Sequence, residues 1–354
     1  MPNHPSPPVT LTAIAQRAGV SLATVSYALR KHPKIPAETR ATVMRAAESL
    51  GYRPNPRVAS LMAHIRGGRA GTARECLAFV WVHTTRQESQ EDPFLRSVFT
   101  GARSRAAQLG FGLEEFWTSD TGMTGRRLEQ ILRARGIVGV VFSPVMTDEE
   151  TVTLDWDWSV FASAVIGNVT WTPELHHAGH HHFLGMRLAL RELEKIGLVR
   201  PAAVIERDAN ERSKHAWEAA FLTHHREVQS APGLIRIARA ADFAATAAWL
   251  HTVKADSLVV SDGTLLDNPV LLPACRKLGL RVFTLHWESS RAATLGGVDQ
   301  CYDRIAGHAV DLVATQLNVN ETGVPDLPCL MLFPGRWVAP VPAVRRKRSS
   351  RLAN

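Results

Sequence analysis

Apolar residues recur at helical spacing through the first fifty positions and in short buried runs beyond Gly67-Gly68. Ile14, Ala15 and Ala18 share one face of a short helix, and Val25, Ala28 and Leu29 share one face of a second. Between them Gly19 supplies the positive φ that a tight helix-to-helix turn needs, and Val20 is placed to plug the corner. Ser21 is a natural N-cap for the second helix. Thr39, Val43, Ala46, Ala47 and Leu50 predict a third helix, opened at Pro36 and stopped by Gly51. Three such helices bury one small core together, and none is stable alone. The stretch Ala15–Leu29 therefore reads as a helix-turn-helix, whose second helix presents its first residues to base edges in the DNA major groove. A helical hairpin with no nucleic-acid role has the same spacing.

Beyond residue 74 the pattern alternates. Leu77–Val82, Ile137–Phe142, Val160–Ile166, Ala202–Ile205, Ser257–Val260 and Val282–Leu285 predict short buried strands. Helical periodicity fills most of the gaps, at Phe94–Leu109, Arg126–Arg135, Leu184–Ile196, Asn210–Thr223, Ala241–His251 and Pro269–Leu278. Strand alternating with helix means doubly wound parallel sheets, and ligands bind such sheets outside the carboxyl ends of the strands. The expected fold class is α/β with a small all-α helix-turn-helix headpiece in front.

Charge separates the hairpin reading from the DNA reading. Met1 to Arg66 holds nine Lys/Arg and two Asp/Glu, a net of +7, whereas the whole chain is +8. The tail Arg345–Arg351 adds +5, leaving residues 67–344 at −4. Positive charge concentrated on a helix-turn-helix is the footprint of a phosphate-binding module. At 354 residues the chain is too long for one small core, so one or two larger lobes are expected. No apolar run reaches membrane-span length, and MPNHPSPPVT has no hydrophobic signal core, so no membrane partner and a cytoplasmic home are expected. Cys76, Cys275, Cys301 and Cys329 are too scattered for a zinc site or a disulfide scaffold.

The run VTLTAIAQRAGVSLATVSYALRKHPKIPAETRATVMRAAESLGYRPN resembles the DNA-binding headpiece of LacI/GalR (lactose-repressor-type) transcriptional regulators, with AGVS, TVS, the IP…TR pair and LGY-x-PN in family order. The resemblance implies a lead-in over residues 1–9 without fixed structure, a headpiece over 10–54, and a hinge helix with linker over 55–68. It further implies a two-lobed sensor like the periplasmic sugar-binding proteins over 74–338, and a basic tail over 339–354. The N-lobe is expected at 74–168 plus 296–324, and the C-lobe at 169–295 plus 325–338. Leu22, Ala23 and Tyr27 take the base-facing positions; Leu and Ala can offer a thymine methyl only apolar contact, and Tyr27 one hydrogen bond. Ser21, Thr24, Ser26, Arg30 and Lys34 fall where phosphate contacts fix register. Leu61, in Val58-Ala59-Ser60-Leu61, matches the family's minor-groove wedge, although the Arg common in relatives is missing. The family also implies a homodimer on a near-palindromic operator and a small-molecule effector, carbohydrates being the first class to test.

For that effector the resemblance points to His83, Phe94, Ser143, Arg212, Trp217, Asp262, Trp287 and Glu288. Several depart from the family pattern. Ser213 stands where an Arg is usual, with Arg212 one place away; Ser261 replaces an Asn; and His286-Trp287-Glu288-Ser289 replaces the family's acidic turn. A carboxylate and a flat ring suit hydroxyls and C–H groups, but Asp262 would serve equally as a helix cap and Trp217 as core. His176, His177, His180, His181 and His182 crowd seven positions, which suggests metal binding or merely a loop before a helix. No catalytic residues, cofactor or metal site are expected. There is no G-x-S-x-G, H-E-x-x-H or phosphate loop, and Gly110-Phe111-Gly112 is only a fragment of a dinucleotide fingerprint. Two rivals to an effector-switched regulator stay open: a ligand-independent architectural DNA binder with a vestigial pocket, and a metal-responsive regulator using the His176–His182 stretch.

Overall fold

The computed structural model describes residues 11–29, 35–50, 75–145, 151–227, 233–239, 242–291 and 295–340. Two compact units emerge, Met1–Thr72 and Ala73–Asn354. In the first, α1 (Leu11–Ala18), α2 (Leu22–Leu29) and α3 (Ala37–Ser49) surround a wholly apolar core. Ile14, Val25, Ala28 and Val43 are fully buried there. Gly19 takes φ +66 at the turn, where a side chain would be strained. The Val20 N–H closes the corner onto the Ala15 carbonyl at 3.1 Å.

The second unit begins with β1 (Cys76–Trp81), α4 (Arg86–Glu91), α5 (Pro93–Gln108), β2 (Gly112–Trp117), α6 (Gly125–Ala134) and β3 (Gly139–Phe142). A small two-stranded sheet of β4 (Thr151–Thr153) and β6 (Thr170–Thr172) brackets β5 (Ala162–Ile166), and β7 (His176–His180) and α7 (His182–Lys195) follow. Next come β8 (Pro201–Glu206), α8 (Arg207–Arg212), α9 (Ala216–Glu227), β9 (Ile235–Ala238), α10 (Phe243–Val253), β10 (Ser257–Val260), α11 (Leu271–Lys277) and β11 (Arg281–Thr284). The chain closes with β12 (Gly296–Asp299), α12 (Tyr302–Val319), β13 (Leu330–Phe333) and β14 (Arg336–Val338).

The strands form two six-stranded sheets, ordered β13-β7-β5-β3-β1-β2 and β14-β12-β11-β10-β8-β9. Every pairing in them is parallel except β12 with β14. Helices cover both faces, which is why strands such as β1 and β10 are apolar throughout rather than alternating. Leu77, Phe79 and Trp81 of β1 pack with α5 and α12, while Ala78 and Val80 pack against Leu128 and Leu132 of α6 and a tryptophan group of Trp156, Trp158 and Trp171. In the other lobe, Ala203 and Ile205 face α7 and α9, and Ala202 and Val204 face α10 and α11.

Three expectations need correction. The histidine-rich stretch is not a loop: β7 pairs with β5 and β13 inside the first sheet. It escapes the hydrophobic pattern because imidazoles occupy positions that usually hold Val or Ile. Asn210–Thr223 is not one helix; α8 ends at Arg212 and α9 starts at Ala216, with Lys214 and His215 both left-handed between them (φ +52 and +58). The lobe boundaries also move. The chain leaves the first lobe after β7, at His181 rather than near 168. It returns at Gln300-Cys301, because β12 belongs to the second sheet, and crosses last at Pro334-Gly335, because β13 belongs to the first. Gly335 is required at that last crossing, since it has φ +74 and a Cβ there would stand 2.6 Å from the Asp299 carbonyl oxygen.

Candidate functional site

The headpiece presents the first turn of α2 to solvent. Ser21 caps the helix, its hydroxyl accepting the Thr24 N–H at 3.1 Å and lying 2.8 Å from the Thr24 hydroxyl. Leu22 (51 % exposed) and Tyr27 (44 %) are large apolar surfaces facing water, and Ala23 beside them is also exposed. Thr24 and Ser26 are half-buried, and Ser26 and Tyr27 each have an interaction partner in the protein. Arg30, Lys34 and Leu61 lie outside the described residues.

In the second unit a cavity of about 340 Å³ opens between the lobes at the carboxyl ends of the strands. Of the eight residues expected there, Phe94, Arg212, Trp217, Asp262 and Glu288 line it. Three do not. Ser143 is fully buried and its hydroxyl is taken by the Val82 N–H at 3.1 Å. Trp287 donates its indole N–H to the Leu295 carbonyl at 3.0 Å and borders a neighbouring chamber instead. His83 is exposed in a left-handed conformation (φ +53) and is not part of the wall.

Position at the strand ends explains the rest. Asp262 follows β10 and caps the 3-10 turn Gly263–Asp267 through the Thr264 N–H at 2.7 Å, while its other oxygen lies 3.1 Å from Nδ1 of His286, which follows β11. Burial alone would raise the Asp262 carboxyl, but the His286 ring and the Thr264 N–H outweigh it and hold it down at about 2. Phe94, at the start of α5, meets His286 edge-on across the cleft at 5.0 Å and Tyr302 at the same distance. Asn168, His182, Glu206, His286, Gln300 and Tyr302 also line the cavity and were missed from sequence. Their one usable signal was place: each follows the carboxyl end of a strand, as ligand-facing residues in open α/β sheets do. A wider groove of about 850 Å³ between α5 and α12 opens to solvent on one lobe, where Asp311 is already paired with Arg105 and His308.

The histidines do not converge on one point. Strand alternation sends His177 to one face of β7 and His176 and His180 to the other. His177 Nδ1 lies 3.1 Å from the Gly167 carbonyl, and His176 Nδ1 accepts the Cys329 N–H at 2.9 Å. Burial lowers all three and also His182, which is pushed down to about 3 with help from His181, His286 and Arg212. Among the described residues no group of three His, Cys, Asp or Glu side chains is placed to hold a metal ion. No helix among them is long and apolar enough to cross a membrane.

Residues 10–55 match the family described as bacterial regulatory proteins, lacI family. The chain is 50% identical over 48 residues to the HTH-type transcriptional regulator AglR of Rhizobium meliloti (strain 1021), covering 14% of each. It is 28% identical over 149 residues to the lactose operon repressor of Escherichia coli (strain K12), covering 42% of this chain and 38% of that one. These curated relatives are thus matched over well under two thirds of their length. Among solved structures, the transcriptional regulator CelR–cellobiose complex aligns at a TM-score of 0.52 and 17% identity, over 94% of this chain and 98% of the other. The Lac repressor bound to ONPG in its repressed state aligns at 0.52 and 19%, over 94% and 99%. Likeness at that identity is one of fold. Residues 10–55 thus carry the match to the lacI family of bacterial regulatory proteins, and the chain has the fold of these two solved regulators.

Proposed function

We propose that this protein is a sequence-specific DNA-binding transcriptional regulator, acting as a repressor, whose hold on its operator is switched by a small molecule bound between the lobes. The observation that carries the reading is the capped, solvent-facing start of α2, with Leu22, Ala23 and Tyr27 exposed together on a helix-turn-helix that matches the lacI family. Leu22 and Ala23 would meet thymine methyls, and Tyr27 would give or take one hydrogen bond. Ser21 and Thr24, with Ser26, Arg30 and Lys34, would hold phosphates, and Leu61 would wedge the minor groove between paired hinge segments. A two-fold dimer of this chain would seek a near-palindromic site.

The switch would work through the three crossings. A ligand that favours one lobe-to-lobe angle shifts that equilibrium by its differential affinity for the two angles. The cleft offers a ligand carboxylates, an arginine and the faces of Phe94, Trp217 and Tyr302, a lining suited to a hydroxylated molecule. Selection of bound duplexes from a random pool by the full chain tests the core of the proposal. A recurrent near-palindrome, lost with Leu22→Ser and Tyr27→Ala, is the expected result. Selection without any shared sequence would sink it, and leave at most an architectural binder.

A further inference from the structure

The cleft is acidic by inventory but not by availability. Asp262 has both oxygens engaged, by His286 and by the Thr264 N–H. Asp92 turns to its own helix and accepts the Phe94 and Leu95 N–H groups. Glu206 has a partner within the protein, and Glu288 accepts the Ser290 hydroxyl through one oxygen at 3.2 Å. Arg212 is the exception. It is half-buried in the wall of the cavity, and among the described residues it has no hydrogen-bond or ion-pair partner. A guanidinium in that position has a full charge and a planar fork of donors unspent, and a carboxylate fits the fork with two parallel bonds.

Arg212 shares the wall with further donors, and its charge is felt by His182 and Tyr302. Asn168 gives one amide N–H to the His180 carbonyl at 2.8 Å, which fixes the amide's orientation, and its nitrogen lies 3.0 Å from His182 Nδ1. His182 Nδ1 must then accept, so its proton sits on Nε2, and burial keeps the ring a neutral donor. The Trp217 ring packs edge-on against it at 4.6 Å, with a buried indole N–H that has no partner among the described residues. Burial pushes the Tyr302 hydroxyl up to about 12 against the pull of Arg212, so it keeps its proton. One lasting positive charge and three N–H or O–H donors therefore serve this part of the wall, and no acceptor among the described residues uses them. On the acceptor side, Gln300 gives its amide N–H to the Leu285 carbonyl, which leaves its oxygen for a ligand hydroxyl.

Taking the cleft as the effector site, we propose that its ligand is a small hydroxylated carboxylate of the aldonic or uronic acid type, with the carboxylate docked on Arg212. The hydroxyls of such a molecule meet Gln300 and Glu288, and its C–H faces meet Phe94 and Trp217. A neutral sugar of the same size would leave the guanidinium without its counter-charge.

The test uses the full-length protein and matched pairs: D-gluconate against D-glucitol, D-galacturonate against D-galactose, and D-glucuronate against D-glucose, with D-glucosamine as the cationic control. Binding is measured by calorimetry and thermal shift, with operator affinity followed in parallel. At least one acid is expected to bind about tenfold or more tightly than its neutral twin. Arg212→Gln should bring that ratio close to one, and Arg212→Lys should restore part of it. A melting curve of each variant without ligand reports whether it folds. Silence from all three acids, equal affinity for a neutral twin, preference for glucosamine, or an acid preference that survives Arg212→Gln in a folded protein each overturns the proposal. A neutral sugar that binds and alters operator affinity would remove the carboxylate assignment and leave the effector role of the cleft standing. An acid that binds through Arg212 yet leaves operator affinity untouched would do the reverse.

Discussion

The headpiece and the interlobe cleft solve opposite problems. The headpiece brings Leu22, Ala23 and Tyr27 together within a single turn and a half of one helix, over a small apolar cluster. The cleft gathers Asn168, Asp262, His286 and Tyr302 from strand ends and crossings, and Arg212 from the end of α8. One surface depends on a local helix and a tiny core, the other on the register of two sheets. The small site should therefore fail all at once, and the large one by degrees.

The largest effect should come from Ile14→Asp. A carboxylate in a core this small costs several kcal/mol, roughly the whole stability of such a module. Operator affinity in a fluorescence anisotropy titration should drop about a hundredfold or more, while the calorimetric transition of the second unit stays in place. Movement of that second transition would mean the two units do not fold independently.

Acid should separate the regions next. His182 is held far below its usual range, so its contribution to stability is complete above about pH 6.5 and is lost as pH falls toward 3. The loss runs at up to about 1.4 kcal/mol per pH unit. Between pH 7 and pH 5 His182 alone should contribute on the order of 2 kcal/mol to the urea-unfolding difference of the second unit, and His182→Gln should reduce the difference by about that much, leaving the share of the other buried histidines. The described core of the headpiece is apolar and should show no such slope. A slope unchanged by His182→Gln would point to other buried groups.

Asp262→Asn should cost on the order of 2 kcal/mol at pH 7, since its carboxylate is held at about 2 against an ordinary 3.8. The Asp262 contribution is present above about pH 4 and fades as pH falls toward 2, so wild type and variant should converge there. A constant gap across that range would assign the loss to packing rather than charge. The smallest effect should come from Ser21→Ala. Removing the cap of α2 should cost about 1 kcal/mol and weaken operator binding about fivefold, without touching ligand binding. A loss of operator affinity with no change in headpiece stability would assign the whole effect to the proposed phosphate contact of Ser21 and none to the cap.

Legibility followed the same division. Gly19, Ser21 and the spacing of Ile14, Val25 and Val43 act within a few residues of one another, so sequence alone located the helix-turn-helix. The β1, β3, β5, β8, β10 and β11 runs were readable because both faces of those strands are covered. β7 was not, because a strand rich in imidazole has no apolar signature and is recognised only by its partners β5 and β13. Ser143 and Trp287 fell where the family places ligand contacts, yet hydrogen bonds to the Val82 N–H and the Leu295 carbonyl turn both elsewhere.

By itself the sequence determined a basic helical cap, a doubly wound body, and which strand ends could face a ligand. Only the tertiary structure decided which lobe owns β7, β12 and β13, where the chain crosses, and which polar groups in the cleft are already spent. The reason is range. Helix periodicity, caps and turns are written within four residues of each other. Whether Asp262 finds His286, or Arg212 finds no partner among the described residues, is set by side chains that meet only after both sheets have formed.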